Sequence, residues 1–212
     1  DFARVDRLTL VACGTAFYAC LTAKYWFEQL AGLPVEVDVA SEFRYREPPV
    51  SPDSWSLFVS QSGETADTLA ALRYCRGRSA RILSVTNVPE SSIARESDLD
   101  LQIHAGVEIG VASTKAFTCQ LAVLLLLALK AAHDRGRLDD EALADRLSGL
   151  RGLHALIGSA LETRAAAEET ARSLAEARDI LFLGRGLMYP LALEGALKLK
   201  EISYIHAEAY AS

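Results

Sequence analysis

The chain has 212 residues, half of them hydrophobic, and a formal net charge of −6. That length and apolar content suffice for one or two domains with a substantial core. The acidic balance and the lack of a Lys/Arg cluster exclude the basic face that nucleic-acid-binding proteins normally present. The overall field repels anions, so an anionic ligand must be held by local donors.

The length of the apolar runs and the distribution of cysteines and histidines argue against a membrane span and a metal site. The longest apolar run, 121–129, is too short to cross a bilayer and predicts a buried helix. The four cysteines form no CxxC pair and the four histidines are scattered, so we predict no metal. No signal peptide is visible, and free thiols fit a cytoplasmic protein. Because the chain begins at Asp1 and its one methionine is Met188, we expect a piece of a longer protein.

Strands and helices alternate through the first part of the chain. Predicted strands cover 8–12, 35–39, 56–60, 81–85 and 99–104, and predicted helices cover 15–30, 65–75, 91–96 and 114–133. The strand segments are short, and several are apolar without clean alternation, as buried parallel strands are. We therefore predict an α/β domain over residues 1–135, with a parallel sheet flanked by helices. Right-handed crossovers place the strand-end loops at one edge, where ligands usually bind.

A helical connector and a second copy of the fold are predicted to follow. Residues 136–177 lack strand signals and carry leucines at helical spacing, which predicts two helices broken near 149–158. From 178 the opening pattern recurs as a strand (179–183), a small-residue turn and a helix (189–204). We predict that 178–212 is a truncated second copy that ends after that helix without a closing element.

The segment 60–65, Ser-Gln-Ser-Gly-Glu-Thr, lies where a predicted strand meets a predicted helix. Helix N-termini carry unpaired amides and a positive dipole end, and Ser60, Ser62 and Thr65 add hydroxyl donors. This combination indicates a phosphate site. An ordinary N-cap is the alternative, although a cap needs one hydroxyl and this loop offers several.

Three charged residues, Glu194, Lys198 and Glu201, are spaced to share one face of the helix 189–204. A surface ion pair worth tenths of a kcal/mol is one interpretation. The helix is apolar nearly all round, however, so its charges need partners or a site. A carboxylate beside a lysine in a cleft can move a proton between adjacent carbons.

Two other glycine-containing turns are less specific. Gly184 and Gly186 resemble a dinucleotide fingerprint, but the third glycine and the distant acidic residue are missing, so we predict no cofactor. At 110–115, Ser113 or Thr114 either caps the next helix or belongs to a loop over a bound sugar. The charged and aromatic segment 42–46 is typical of an interface or a solvated loop.

Five stretches together resemble the isomerase part of the glutamine–fructose-6-phosphate aminotransferase family. They are 12–15, 41–45, 60–65, 110–118 and 192–210. The stretch 201–210, Glu-Ile-Ser-Tyr-Ile-His-Ala-Glu-Ala-Tyr, separates this family from other proteins with sugar-isomerase domains.

The resemblance implies a fold, a reaction and a set of site residues. The family makes glucosamine 6-phosphate from fructose 6-phosphate and glutamine-derived ammonia, without a cofactor, as a homodimer with two flavodoxin-like, three-layer sugar-isomerase domains. By resemblance, Glu201 moves a proton between C1 and C2 and Lys198 assists, while Val111 and Ser113 line the sugar. The residues implied in phosphate binding are Thr15, Ser60, Gln61, Ser62 and Thr65, and Cys13 is implied as a further substrate-binding residue.

Departures from the family pattern leave alternatives open. The family commonly has serine where this chain has Ala16, so one phosphate donor is missing. The family's glutaminase domain, ring-opening histidine and C-terminal lysine would lie outside residues 1–212, so we expect this fragment alone to be inactive. A sugar-phosphate-sensing module and a related amino-sugar-phosphate deaminase or deglycase are the alternative functions.

Overall fold

The structure, a computed structural model, describes residues 1–110 and 112–212. Its strands are β1 (Leu8–Ala12), β2 (Val35–Val39), β3 (Trp55–Ser60), β4 (Arg81–Thr86), β5 (Leu99–Gln102), β6 (Asp179–Gly184) and β7 (His206–Ala211). Its helices are α1 (Gly14–Ala31), α2 (Ala40–Arg46), α3 (Ala66–Cys75), α4 (Ser92–Glu96), α5 (Lys115–Asp134), α6 (Asp140–Arg151), α7 (Leu153–Leu161), α8 (Arg164–Leu174) and α9 (Met188–Ser203).

The first five strands form one parallel sheet in the order β2-β1-β3-β4-β5. This is the flavodoxin-like strand order, in which ligands bind beyond the carboxyl ends of the strands where the order reverses. Here the reversal falls between β1 and β3, which pair with Leu8 opposite Trp55. The predicted parallel sheet flanked by helices is therefore confirmed.

Helices cover both faces of this sheet. Leu10 and Val11 are adjacent on β1 and point to opposite faces, since successive strand residues alternate. Leu10 packs in a core with Phe27 of α1 and Leu124 of α5, whereas Val11 packs in a second core with Phe43 of α2. Burial of each large apolar side chain contributes about 1.5–3 kcal/mol, so the two cores fix the loops at the sheet's carboxyl edge.

Helix α5 is long and apolar enough, by length and composition alone, to cross a membrane. In this structure it packs against α1, and its buried residues include Gln120 and Leu124. A core helix of an α/β sheet passes the same composition test, because it is apolar for packing reasons.

Two sequence-based predictions about secondary structure were wrong. The segment 42–46 belongs to helix α2, whose Phe43 is 2% exposed and packs beneath the sheet. The connector contains three helices (α6, α7 and α8) rather than two within the described residues. The first break, at Gly152 where α6 ends, lies within the predicted region 149–158, and a second break separates α7 from α8.

The prediction that the chain ends after a helix without a closing element was also wrong. Residues 206–211 form β7, which pairs in parallel with β6 from Asp179 opposite His206 to Gly184 opposite Ala211. Helix α9 connects the two strands and packs on both of them and on α1. The β6-α9-β7 unit thus repeats the parallel β1-α1-β2 connection. The division of the chain at 135 and 177 into domains stays a prediction.

Candidate functional site

A small cavity of about 180 Å³ lies at the carboxyl edge of β1 and β3. It is lined by the start of α1, the loop between β3 and α3, and the beginning of α5. The lining residues are Cys13, Thr15, Ala16, Val59, Ser60, Gln61, Ser62, Thr65, Ser113 and Gln120. Seven of the ten predicted site residues therefore meet at one cavity, although they come from three separate segments of the chain.

Hydroxyl groups organise the loop between β3 and α3. The Ser60 and Thr65 hydroxyl oxygens lie 2.9 Å apart, and the Gly63 amide donates to Ser60 Oγ at 3.1 Å. The Glu64 amide donates to Ser62 Oγ, also at 3.1 Å. Thr65 is the N-cap residue of α3, but its side chain makes no cap hydrogen bond. The first-turn amides of α3 thus lack an internal acceptor, as helix geometry requires, and suit an anion.

The loop is braced from behind by α4. The Ser92 amide donates to Glu64 Oε1 at 2.7 Å, and this bond lowers the pKa of the Glu64 carboxyl. The Ile93 amide donates to the Gly63 carbonyl at 3.0 Å. Gly63 has φ +66°, and a Cβ there would lie 1.9 Å from Ser91 Oγ. Glycine is therefore required both by the backbone conformation and by the closeness of α4.

The start of α1 contributes the second wall. Cys13 is the N-cap residue and makes no side-chain cap bond, and Gly14 follows it with φ +54°. Thr15 lies in the first turn of α1 and does not cap the helix. Its hydroxyl instead donates to Glu194 Oε1 at 3.0 Å. Thr15 thus faces the cavity and also connects α1 to α9.

The three charged residues of α9 form one chain of contacts. Lys198 Nζ lies 2.6 Å from Glu201 Oε2 and 3.6 Å from Glu194 Oε1. The side chains of Glu194 and Lys198 are 8% and 17% exposed, whereas that of Glu201 is 35% exposed. A surface ion pair does not describe this group, since two of its three members are largely buried. Lys198 and Glu201 do not line the cavity, but Glu194 links them to Thr15.

Burial raises the pKa of the Glu194 carboxyl, while Lys198 and the hydrogen bond from Thr15 act in the opposite direction. Within the described residues, Glu194 Oε2 is buried without a hydrogen-bond partner, which explains why burial prevails. Burial, followed by the charge of Glu194, also raises the pKa of the neighbouring Tyr18 hydroxyl. The interface between α1 and α9 is therefore a place where carboxylate charge is disfavoured.

The beginning of α5 forms the third wall. Glu108 Oε2 accepts hydrogen bonds from Ser113 Oγ and the Ala116 amide, both at 3.2 Å. Glu108 therefore performs the capping role that sequence considerations offered to Ser113 or Thr114, and the Thr114 side chain makes no cap bond. Ser113 lines the cavity. The predicted sugar contact Val111 lies outside the described residues.

Gln120 is a cavity residue that the sequence-based predictions missed. It lies in the second turn of α5, is 2% exposed and lines the cavity. Its signal was a single carboxamide within the otherwise apolar stretch 119–129. A buried amide in such a helix requires a hydrogen-bond partner, and this requirement identifies it.

Residues 1–130 and 173–212 match the family model described as the SIS domain. The chain belongs to the SIS domain family. The match includes all three walls of the cavity and all of α9, and it excludes the exposed helices α6 and α7.

This SIS chain is similar over its whole length to proteins named glutamine–fructose-6-phosphate aminotransferase (isomerizing). It is 58% identical to the protein from Bradyrhizobium diazoefficiens and 56% identical to that from Brucella abortus, over 212 residues in each case. The alignments cover all of the chain and 35% of each relative, so the SIS chain spans about a third of their length.

A solved structure shows the same arrangement. The C-terminal domain of glucosamine-fructose-6-phosphate aminotransferase from Francisella tularensis superposes with a TM-score of 0.96 at 46% identity. The superposition covers 99% of the SIS chain and 60% of that structure. The resemblance recognised in the sequence is thus confirmed.

Proposed function

We propose that this chain is the sugar-phosphate-binding isomerase portion of an enzyme that makes glucosamine 6-phosphate from fructose 6-phosphate and glutamine-derived ammonia. One observation carries the proposal: Cys13, Thr15, the loop 60–65 and Ser113 converge on one cavity at the switch point of the sheet. Their donors are hydroxyls and amides, which hold a phosphate without a compensating basic cluster.

The phosphate end of the ligand would bind at the loop 60–65. Ser60 and Thr65 hydroxyls lie 2.9 Å apart and can rotate toward an oxygen between them. The dipole of α3 favours an anion at its start by about 0.3–1 kcal/mol, and each hydrogen bond to a charged group adds about 1.5–3 kcal/mol. The chain's net charge of −6 opposes binding at long range, so we expect affinity to depend on these short contacts.

The carbon end of the sugar would be processed by α9. In the proposed role, ammonia first replaces the C2 carbonyl oxygen as an imine, and water leaves. The Glu201 carboxylate then removes a proton from C1 and returns it to C2, while the O1 hydroxyl proton passes to the nitrogen, so that C1 becomes the aldehyde carbon and C2 carries the amino group. Lys198 Nζ, 2.6 Å from Glu201 Oε2, orients that carboxylate and offers a donor to the neighbouring sugar oxygen. We propose that turnover requires the remainder of the longer protein and that this chain alone is inactive.

Isothermal titration of the chain tests the binding step. Fructose 6-phosphate should bind, and fructose without phosphate should not. Thr65→Val removes one cavity hydroxyl and should weaken binding about tenfold, while Thr170→Val on the exposed helix α8 is a matched control that should leave it unchanged. The proposal would be contradicted if fructose 6-phosphate did not bind the unsubstituted chain, or if fructose bound equally well.

A sugar-phosphate sensor without chemistry is the second candidate. The observation in its favour is that Lys198 and Glu201 do not line the cavity in the described part of the chain. Glu201→Gln in a protein extended to the length of the relatives separates the two. Loss of glucosamine 6-phosphate formation with fructose 6-phosphate binding retained supports the enzyme. If the extended protein binds fructose 6-phosphate equally well with and without Glu201→Gln and forms no glucosamine 6-phosphate in either case, the sensor is supported.

We further propose a cytoplasmic homodimer, as the resemblance implies. Apolar side chains on α7 and at the end of α9 are exposed, including Leu156, Leu161 and Ile202 at 67%, 72% and 67%. Such apolar surface is typical of a face that another chain or segment covers. Sedimentation of the protein across a concentration series tests the dimer, and a monomer at every concentration would contradict it.

A deaminase or deglycase remains the third alternative, and release of ammonia from glucosamine 6-phosphate would support it.

A further inference from the structure

Among the described residues that line the cavity, Gln120 alone has a buried side-chain polar atom without a hydrogen-bond partner. Its Oε1 atom is buried and accepts no hydrogen bond within residues 1–110 and 112–212. The residue is 2% exposed, and it lines the cavity together with Ser60 and Ser113.

An unpaired buried carboxamide is costly, and its surroundings offer no structural reason for it. The α5 residues Ala116, Leu124 and Ala128 are buried in the core between α5, α1 and the sheet. An apolar side chain would serve that packing without the desolvation penalty of an amide. Polar groups kept at such a cost are typical of sites that bind a ligand.

The position of Gln120 in the cavity indicates which part of a ligand it meets. The loop 60–65 supplies the hydroxyls and the helix N-terminus that suit an anion. A carboxamide oxygen is an acceptor only, so it is suited to a neutral O–H donor and repels phosphate oxygens. The cavity of about 180 Å³ has room for more than a phosphate group alone.

On the basis of the proposed sugar-phosphate binding, we propose that Gln120 is a specificity-determining residue whose carboxamide accepts a hydrogen bond from a hydroxyl of the sugar. Gln120 thereby distinguishes phosphate esters of polyhydroxylated carbon chains from inorganic phosphate. In the empty protein its unpaired oxygen lowers stability, and the ligand hydroxyl satisfies it.

Gln120→Met tests this, because methionine keeps the length of the side chain and removes the amide. We expect the affinity of the chain for fructose 6-phosphate to fall three- to tenfold, roughly the effect of one hydrogen bond. The affinity for inorganic phosphate should not change. The melting temperature of the empty protein should rise by about 2–4 °C, since an unpaired buried acceptor is removed.

Gln102→Met is the matched control. Gln102 Nε2 donates to Thr86 Oγ1 at 2.8 Å, and the residue does not line the cavity. The same substitution there should lower the melting temperature and leave both affinities unchanged. The opposite signs of the two melting shifts separate a ligand-binding amide from a structural one.

The outcomes are distinguishable. If fructose 6-phosphate binds the unsubstituted chain and Gln120→Met equally well, the role of Gln120 is refuted and the proposed function stands. Equal loss for both ligands places the amide at the phosphate or at a bridging water and also refutes it. A lower melting temperature for Gln120→Met shows a structural hydrogen bond, which overturns the inference. If the unsubstituted chain binds inorganic phosphate but not fructose 6-phosphate, the proposed function itself fails.

Discussion

The hydroxyl of Thr15 donates a 3.0 Å hydrogen bond to the Glu194 carboxylate, which lies 179 residues further along the chain. Thr15 belongs to the first turn of α1 and lines the cavity, whereas Glu194 belongs to α9 and lies 3.6 Å from Lys198. This contact joins the five-stranded part of the molecule to the β6-α9-β7 unit. It also links the proposed phosphate site to the proposed proton-transfer pair.

The unfolding free energy of the Glu194→Gln variant, relative to that of the parent protein, should increase as the pH rises. Burial raises the pKa of Glu194 in the folded protein, so between the unfolded and folded pKa values the folded state binds more protons. The stability that this group contributes is fully present below the unfolded pKa of about 4.3 and is lost as the pH rises through the folded pKa. Glutamine stays neutral, so the unfolding free energy of the variant minus that of the parent should increase from about pH 4 to pH 7.

Urea denaturation at several pH values measures this difference. Thr15→Val is the companion variant, because it removes a hydrogen bond that lowers the pKa of Glu194. The stability of Thr15→Val should therefore fall more steeply with pH than that of the parent. A difference for Glu194→Gln that stays flat or decreases with pH would refute the assignment of a raised pKa.

Gly63→Ala should damage both stability and the loop 60–65. Alanine at φ +66° costs about 1–2 kcal/mol, and the new Cβ would lie 1.9 Å from Ser91 Oγ, so we expect a total loss of about 3 kcal/mol. Gly77→Ala is the matched control, with φ +75° but open space around its Cβ, and should lose about 1–2 kcal/mol. Thermal denaturation of both variants measures the difference, and equal losses would show that the contact with Ser91 is unimportant.

Ala16→Ser should strengthen ligand binding. Ala16 lines the cavity, and its methyl group stands where the resembling family commonly has a hydroxyl. A new hydrogen bond to the phosphate should raise the affinity for fructose 6-phosphate about tenfold or more. Ala16→Gly changes the size without adding a donor and should bring no gain. An unchanged affinity in titration calorimetry for Ala16→Ser would indicate that water already fills this place.

The four thiols should react in two classes. Burial raises the pKa of the Cys20 and Cys75 thiols, whereas Cys13 and Cys119 are partly exposed. An aromatic disulfide reagent should therefore modify Cys13 and Cys119 in the native protein and all four thiols in denaturant. Because Cys13 lines the cavity, fructose 6-phosphate should slow its reaction and leave that of Cys119 unchanged. An unaltered rate at Cys13 with saturating ligand would place the ligand elsewhere.

Much of the site was predictable because its signals are local. The loop 60–65 combines a strand end, a glycine and three hydroxyl residues within six positions, and such a junction dictates its own backbone conformation. Strands β1 and β2 were predicted to the residue because β1 is a short, mostly apolar run and β2 alternates valine with charged residues. The alternation of strand and helix predicted a parallel sheet, and with it the edge where the loops meet.

Features that depend on distant partners were not predictable in this way. Strand β7 contains His206, Glu208 and three alanines, which have little strand propensity, and it forms because β6 offers a complete parallel partner. Helix α2 exists because Phe43 reaches the core beneath the sheet.

By itself the sequence determined the fold class, the polar loop 60–65 and the position of Glu194, Lys198 and Glu201 on one face of a helix. Each of these follows from the types and spacing of residues that are close together in the chain. Only the tertiary structure decided that Glu194 bonds to Thr15 and that Gln120 faces the cavity with an unpaired oxygen. The physical reason is that burial and hydrogen-bond satisfaction are properties of pairs and cavities, which the chain acquires only when distant segments pack together.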